Sequence, residues 1–257
     1  YYIIFNFKNP YLANVKVRQA MSAAFDREGF LKAVYKRNIP AYAFIPTGLY
    51  AGTKEFRASV SADNIKSELT GIKDPKALLL EGLQEVGKET DPSKITFKYL
   101  LGKASTLSIA NGNFVQDQLK TKLGLNLEIV NAVDNPAYFQ SRTKGEFDLC
   151  GGGWGADYND VSNFMDIFLS TNGNNNGKYN SENFDSLVKQ GDVEQDTDKR
   201  IDLYKQAEEY LMYKDCAIIE TYWPDFQTFR YNWLKGLFIP LYGGYYQLRD
   251  AYIQGSL

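Results

Sequence analysis

Between Phe147 and Phe168 the chain reads FDLCGGGWGADYNDVSNFMDIF, which gathers the residue types that could hold a small ligand. A large flat ring (Trp154), an acid (Asp157), a phenol (Tyr158) and an amide (Asn159) follow three glycines, Gly151, Gly152 and Gly153. Asp157 can anchor a cation, Trp154 can offer a stacking face, and glycine backbone can turn sharply or lie against a bound group. The apolar run 147–150 reads as a buried strand that ends in a loop, so the stretch fits the mouth of a small-molecule site. It fits equally a glycine-rich loop with one packed Trp and one solvated Asp, and local chemistry does not separate the two. Upstream, Arg142 could receive a ligand carboxylate with its planar fork, or sit at the surface beside a nearby acid.

Composition narrows the chemistry. The 257 residues contain no histidine, which removes the Ser-His and Cys-His nucleophile pairs, the usual general base and most zinc sites. Two cysteines, Cys150 and Cys216, sit far apart in apolar runs and read as buried free thiols rather than a disulfide. With 29 basic and 31 acidic residues scattered along the chain, no basic stripe exists to neutralise phosphates, and nucleic-acid binding is not expected. Aromatic residues make up 15%, a high share that suits a binding cleft but also packs sheets. No run is long enough to span a membrane. The chain opens on YYIIFNF without an initiator Met, and reads as a piece of a longer precursor.

Three motifs compete for the glycine-rich stretch. Gly151, Gly153 and Ala156 satisfy G-x-G-x-x-G/A, but the acid wanted about 20 residues on is missing, because residues 171–176 are TNGNNN. A calcium loop starting at Asp157 fails where Val161, Ser162 and Phe168 replace an oxygen ligand, the glycine and the closing acid. A hydrolase working with two carboxylates has acids enough, but no spacing selects a pair. No catalytic residue, metal ligand or cofactor site is assigned.

The elements that must position these residues follow from periodicity. Residues 1–7 read as a strand, Asn14 caps a helix burying Val17, Ala20, Met21 and Ala24, and Asp26 caps a second helix with Phe30, Leu31 and Val34 inward. Residues 38–52 read as an irregular apolar loop and 59–73 as polar and without regular structure. Asp74-Pro75 opens a helix stopped by Gly87, with Leu79, Leu80, Leu83 and Val86 as its stripe. A strand at 95–101, a helix at 106–123 stopped by Gly124, a strand at 125–130, a helix after Asp134 and the strand at 147–150 follow. This alternation predicts α/β layering with parallel strands, whose carboxyl ends collect ligands. Further on, Asn183 is expected to cap a helix with Phe184, Leu187 and Val188. A longer helix after Thr197 or Asp198 buries Ile201, Tyr204, Ala207 and Leu211, and residues 217–222 form a buried strand. Residues 226–239 and 245–253 read as strand-like.

Taken in order, several segments are familiar. NVKVRQAMSAAFDRE, PAYAFIP, GEFDLCGGGWGADYNDVSNF, KYNSENFDSL, DKRIDLYKQAEEYLMYKDCAIIETYW and LKG resemble the C-terminal lobe of the oligopeptide-binding proteins of ABC importers, the peptide/nickel class of extracytoplasmic solute-binding proteins. The resemblance covers essentially the whole chain. It implies a class II, periplasmic binding protein-like α/β lobe with a mixed sheet flanked by helices. A missing N-terminal lobe would close over an extended peptide and deliver it to membrane permease subunits. Residues 1–225 would form the lobe, and residues 226–257 a return segment crossing the hinge. The resemblance gives Asp157 the peptide α-amino group, Trp154 a place in the cleft lining and Arg142 the carboxyl end of short peptides. Gly151, Gly153, Tyr158, Asn159 and Tyr222 complete the expected ligand-contacting set. The chain departs from the pattern where Gly151 replaces a basic residue, where a histidine near Ser108 is absent, and where Gly155 stands at a cysteine position. Relatives of the same fold take dipeptides, nickel chelates or oligosaccharides; Asp157 favours an amine-bearing ligand. An extracytoplasmic location is expected, periplasmic or lipid-anchored.

Overall fold

The computed structural model describes residues 1–240, 242–244 and 246–255. Its main sheet has five strands: β1 (Tyr2–Phe5), β2 (Thr96–Leu101), β3 (Asn126–Asn131), β4 (Leu149–Gly152) and β5 (Ile218–Glu220). Their spatial order is β3-β2-β4-β1-β5. β2 runs parallel to β3 and β4, with Tyr99 opposite Ile129 and Leu149. β1 is antiparallel to both its neighbours, and Tyr2 lies opposite Gly152 on one side and Glu220 on the other. The sheet is therefore mixed, and its parallel half is the helix–strand alternation expected from residue 75 onward.

Strand alternation sends side chains into two separate cores. Ile3, Phe5, Phe97, Tyr99 and Leu149 face helices α1 (Val15–Ala24), α3 (Pro75–Val86) and α4 (Thr106–Leu123). Tyr2, Ile4, Leu100, Cys150 and Ile218 face the opposite layer, built from α6 (Glu182–Val193), α7 (Thr197–Glu209) and the segment carrying Phe44 and Phe56. A period of two along each strand produces this division, and burial of both faces makes the central strand β1, YIIF, apolar throughout.

Local signals place the helix ends. Asn14 Oδ1 accepts from the Lys16 and Val17 N–H groups at 2.9 and 3.3 Å. Asp74 accepts from Ala77 N at 2.9 Å, and Asp134, which caps α5 (Asn135–Lys144), accepts from Ala137 N at 2.8 Å. These side chains satisfy donors that a helix start leaves unpaired. Helices α3 and α4 stop where Gly87 and Gly124 turn to positive φ, 68° and 80°. Cys150 and Cys216 are free and buried, as expected.

Several expectations need correction. Residues 59–73 contain helix α2 (Asp63–Gly71), which buries only Ile65 and Leu69 and so shows too narrow an apolar stripe to announce itself. Leu80 turns outward, because α3 packs on one side alone and buries Leu79, Gly82 and Leu83. The cap of α6 is Ser181, whose Oγ accepts from Phe184 N at 3.4 Å, and not Asn183. That of α7 is Asp196, which accepts from Asp198 N and Lys199 N. Gly151 and Gly152 belong to β4 itself instead of the loop beyond it. Between residues 226 and 239 only Leu234–Lys235 forms a strand, paired with Tyr252–Ile253, and Phe238 bridges Gln247. Tyr245, placed in the last strand-like piece, lies outside the described residues.

The apolar loop 38–52 does lie on the body, with Ala41, Ala43, Phe44, Ile45, Leu49 and Ala51 buried. Glu208, buried on α7, accepts from Ile45 N at 2.8 Å and forms a buried ion pair with Arg57. No helix among the described residues is long and apolar enough to cross a membrane.

Candidate functional site

At the end of β4 the chain passes between aromatic rings. A Cβ on Gly152 would stand 2.5 Å from the Tyr2 ring, and one on Gly153 would stand 2.9 Å from the Tyr1 ring. Neither glycine adopts positive φ. Their smallness therefore serves close packing against β1, not a sharp turn. Tyr1 in turn stacks on Tyr222, with centroids 4.8 Å apart and planes at 19°. Gly153 and Tyr222 thus share one end of the sheet with Tyr1 between them. Tyr222 is only 5% exposed and also packs on Tyr35 and Phe30, so it supports this shelf from below.

Beyond Gly153 the turn is tied down group by group. Trp154, partly buried, rests on the core and donates its indole N–H to Asn163 Oδ1 at 3.0 Å. The Asp157 main-chain N–H donates to the same oxygen at 3.1 Å. Asn159 Oδ1 accepts from Tyr50 N at 3.1 Å, which joins the turn to the loop that precedes α2. Asp160 takes a two-pronged contact from Arg200, at 2.7 and 2.9 Å, the fork geometry that makes arginine–carboxylate pairs strong. Tyr158, largely exposed, shares a hydrogen bond with Ser162 Oγ at 3.3 Å. From the far end of the chain, Gly243 N donates to Ala156 O at 3.1 Å and Tyr242 donates to Gly48 O at 2.6 Å.

Against this background the Asp157 carboxylate differs. It is exposed, and among the described residues it makes no hydrogen bond and no ion pair. A fixed turn thus presents one free anion beside one partly buried indole, which suits a ligand cation.

Arg142 occupies a different corner. It lies on α5 beside the Tyr2 hydroxyl, Tyr138 and Cys150, and its buried Nε has no hydrogen-bond partner among the described residues. Burial pushes the Cys150 thiol up to about 11, an effect Arg142 only partly offsets, so that sulfur stays protonated and unreactive near neutral pH. Gly151 belongs to this corner, since its carbonyl accepts from the Tyr138 hydroxyl. Asp157, Trp154, Tyr158 and Asn159 therefore form one group, Arg142 and Gly151 a second, and Gly153 with Tyr222 a shelf.

Two residues that organise the turn escaped the sequence reading, Asn163 and Arg200. Asn163 is the one amide in SNFMDIF and directly precedes the apolar pair Phe164 and Met165, and that is the signal that could have marked it. Arg200 sits in a polar helix start whose only sequence signature is surface character. Elsewhere a hollow of about 480 Å3 lies along α6, lined by Ser170, Asp185 and Lys189 among others. Its one buried carboxylate, Asp185, is already taken by Ser170 and Lys189, so the free carboxylate of Asp157 marks the more telling place.

Comparison with known proteins agrees with this architecture. Residues 1–176 match the family described as bacterial extracellular solute-binding proteins, family 5 Middle. The oligopeptide-binding protein OppA of Bacillus subtilis is 30% identical over 99% of this chain, which covers 45% of that protein. The structure of Listeria monocytogenes OppA bound to peptide superposes with a TM-score of 0.79 at 24% identity, covering 99% of this chain and 48% of that one. A peptide-binding protein of a peptide ABC transporter matches over 86% of this chain and 96% of its own, at 25% identity and a TM-score of 0.73. The chain thus spans about half the length of the OppA proteins it matches, and has the periplasmic binding protein-like fold. It belongs to the bacterial extracellular solute-binding proteins of family 5.

Proposed function

We propose that this chain is the C-terminal lobe of an extracytoplasmic solute-binding protein that captures oligopeptides and hands them to the permease of an ABC importer. The observation that carries the reading is the free carboxylate of Asp157 on a turn whose other side chains are tied down. A peptide's ammonium enclosed between two lobes needs a compensating charge, because an unpaired buried charge is costly. Trp154 would lie beside it, and Arg142 would receive the carboxyl end of a short peptide. Residues 1–225 would make up the lobe and residues 226–257 the return toward a second lobe. The names of the relatives support peptides as the ligand class and a location outside the cytoplasm.

Calorimetry with short peptides tests the reading. The 257-residue chain should bind weakly or not at all, and the two-lobe protein well, because half the contacts and the closure are missing from one lobe. Equal affinity for both would refute it. Asp157→Asn in the two-lobe protein should abolish affinity for free-amine peptides without any turnover in either form. Peptide hydrolysis lost on that substitution would instead identify a hydrolase.

A further inference from the structure

Two N–H groups of the turn that carries the free carboxylate are both taken by one atom. Asn163 Oδ1 accepts the Trp154 indole N–H at 3.0 Å and the Asp157 main-chain N–H at 3.1 Å. Only the carbonyl side of an amide can accept from two donors, so this bond pair fixes which way the amide faces. Asn163 is 7% exposed and stands between Val161 and Met165, both fully buried, which leaves its side chain little freedom.

The chemical consequence concerns what the turn can offer a ligand. With its N–H engaged, Trp154 presents only its ring face, and a ring face attracts positive charge. Asp157 presents a carboxylate, whose oxygens accept hydrogen bonds. Two donors that would welcome a ligand carbonyl or carboxylate are turned inward at the spot where the ligand's end would arrive.

We infer that Asn163 is a specificity-determining residue of this site. By withdrawing both donors it sets the turn for a ligand with a free cationic amine and against one whose terminus is acylated or anionic. The inference rests on the peptide-capture reading and adds to it the residue that decides which peptide terminus is accepted.

The test compares Asn163→Leu, which keeps bulk but loses the acceptor, with Asn163→Asp, which keeps the acceptor. Asn163→Ser, too short to reach both donors, repeats the loss should leucine unfold the turn. In 15N–1H spectra of this chain, the indole signal that vanishes in Trp154→Phe should shift with Asn163→Leu and Asn163→Ser and hold in Asn163→Asp. In the two-lobe protein, preference for trialanine over N-acetyl-trialanine should fall about tenfold in the two loss variants and survive in Asn163→Asp. A preference and an indole signal both unchanged by leucine and serine overturn the role of Asn163 and leave peptide capture standing. A wild type with no preference for the free amine overturns the capture reading, and this inference with it.

Discussion

Phe184 on α6 is fully buried, and Phe229 in the C-terminal tail is 85% exposed. The same side chain meets two fates because of what surrounds it. In the body a helix brings Phe184 against Tyr179, whose ring centroid lies 5.4 Å away, and against the sheet-facing core beneath. In the tail, pairing among the described residues reaches two residues in each strand plus one bridge, and so short a ribbon leaves most of its large apolar side chains exposed. Phe226, Tyr231, Phe238, Tyr246, Leu248 and Tyr252 join Phe229 on the surface, a set of large apolar side chains that would suit contact with further protein. Hydrophobic composition draws a ring inward only where two elements can close over it.

The sharpest way to break this contrast is to cut into the body. Phe184→Ala should cost ~3–5 kcal/mol, read as a shift in urea midpoint, because it leaves a cavity in a closed core. Glu208→Ala should cost a similar ~3–5 kcal/mol, since it strands the buried Arg57 guanidinium and releases Ile45 N. If either left the midpoint where it was, the body would not unfold as one cooperative unit.

A smaller effect comes from Asp166, beneath the site turn. Burial, with repulsion from Asp192 and Asp160, raises its carboxyl from 3.8 to about 6, and its Oδ1 is buried without a partner. The native chain then holds this proton more tightly than the unfolded chain does. Its contribution to stability is full below pH 3.8 and is lost as pH rises through about 6. Asp166→Asn should therefore raise the thermal midpoint at pH 7.5, and the gain should vanish by about pH 4. A gain that persisted in acid would show that charge is not its origin.

Phe229→Ala completes the series at the low end, within about 0.5 kcal/mol of the parent, because the ring is in water already. A loss as large as that of Phe184→Ala would place the tail inside the folding unit.

Much of the body was legible. Caps at Asn14, Asp74 and Asp134, glycine stops at Gly87 and Gly124, and the helix–strand alternation all act through neighbours a few residues away, so local pattern carries them. Helix α2 was not legible, because two buried residues, Ile65 and Leu69, make no stripe. Of the site, Trp154 and Asp157 stood out by type and position. Asn163, Arg200 and Tyr1 did not, since each matters only through a partner brought close by folding. Leu80 and Tyr222 show the same limit from the other side. Apolar or aromatic character did not tell which face a neighbour would cover, and one ended exposed while the other was buried.

What the amino-acid sequence determined by itself is the set of elements, the parallel half of the sheet and the chemical types gathered after β4, because these depend on short-range sterics and periodicity. Which carboxylate stays free was decided by tertiary structure alone. Asp160 and Asp157 lie three residues apart on one turn, and only the arrival of Arg200 from a distant helix neutralises the first and leaves the second open.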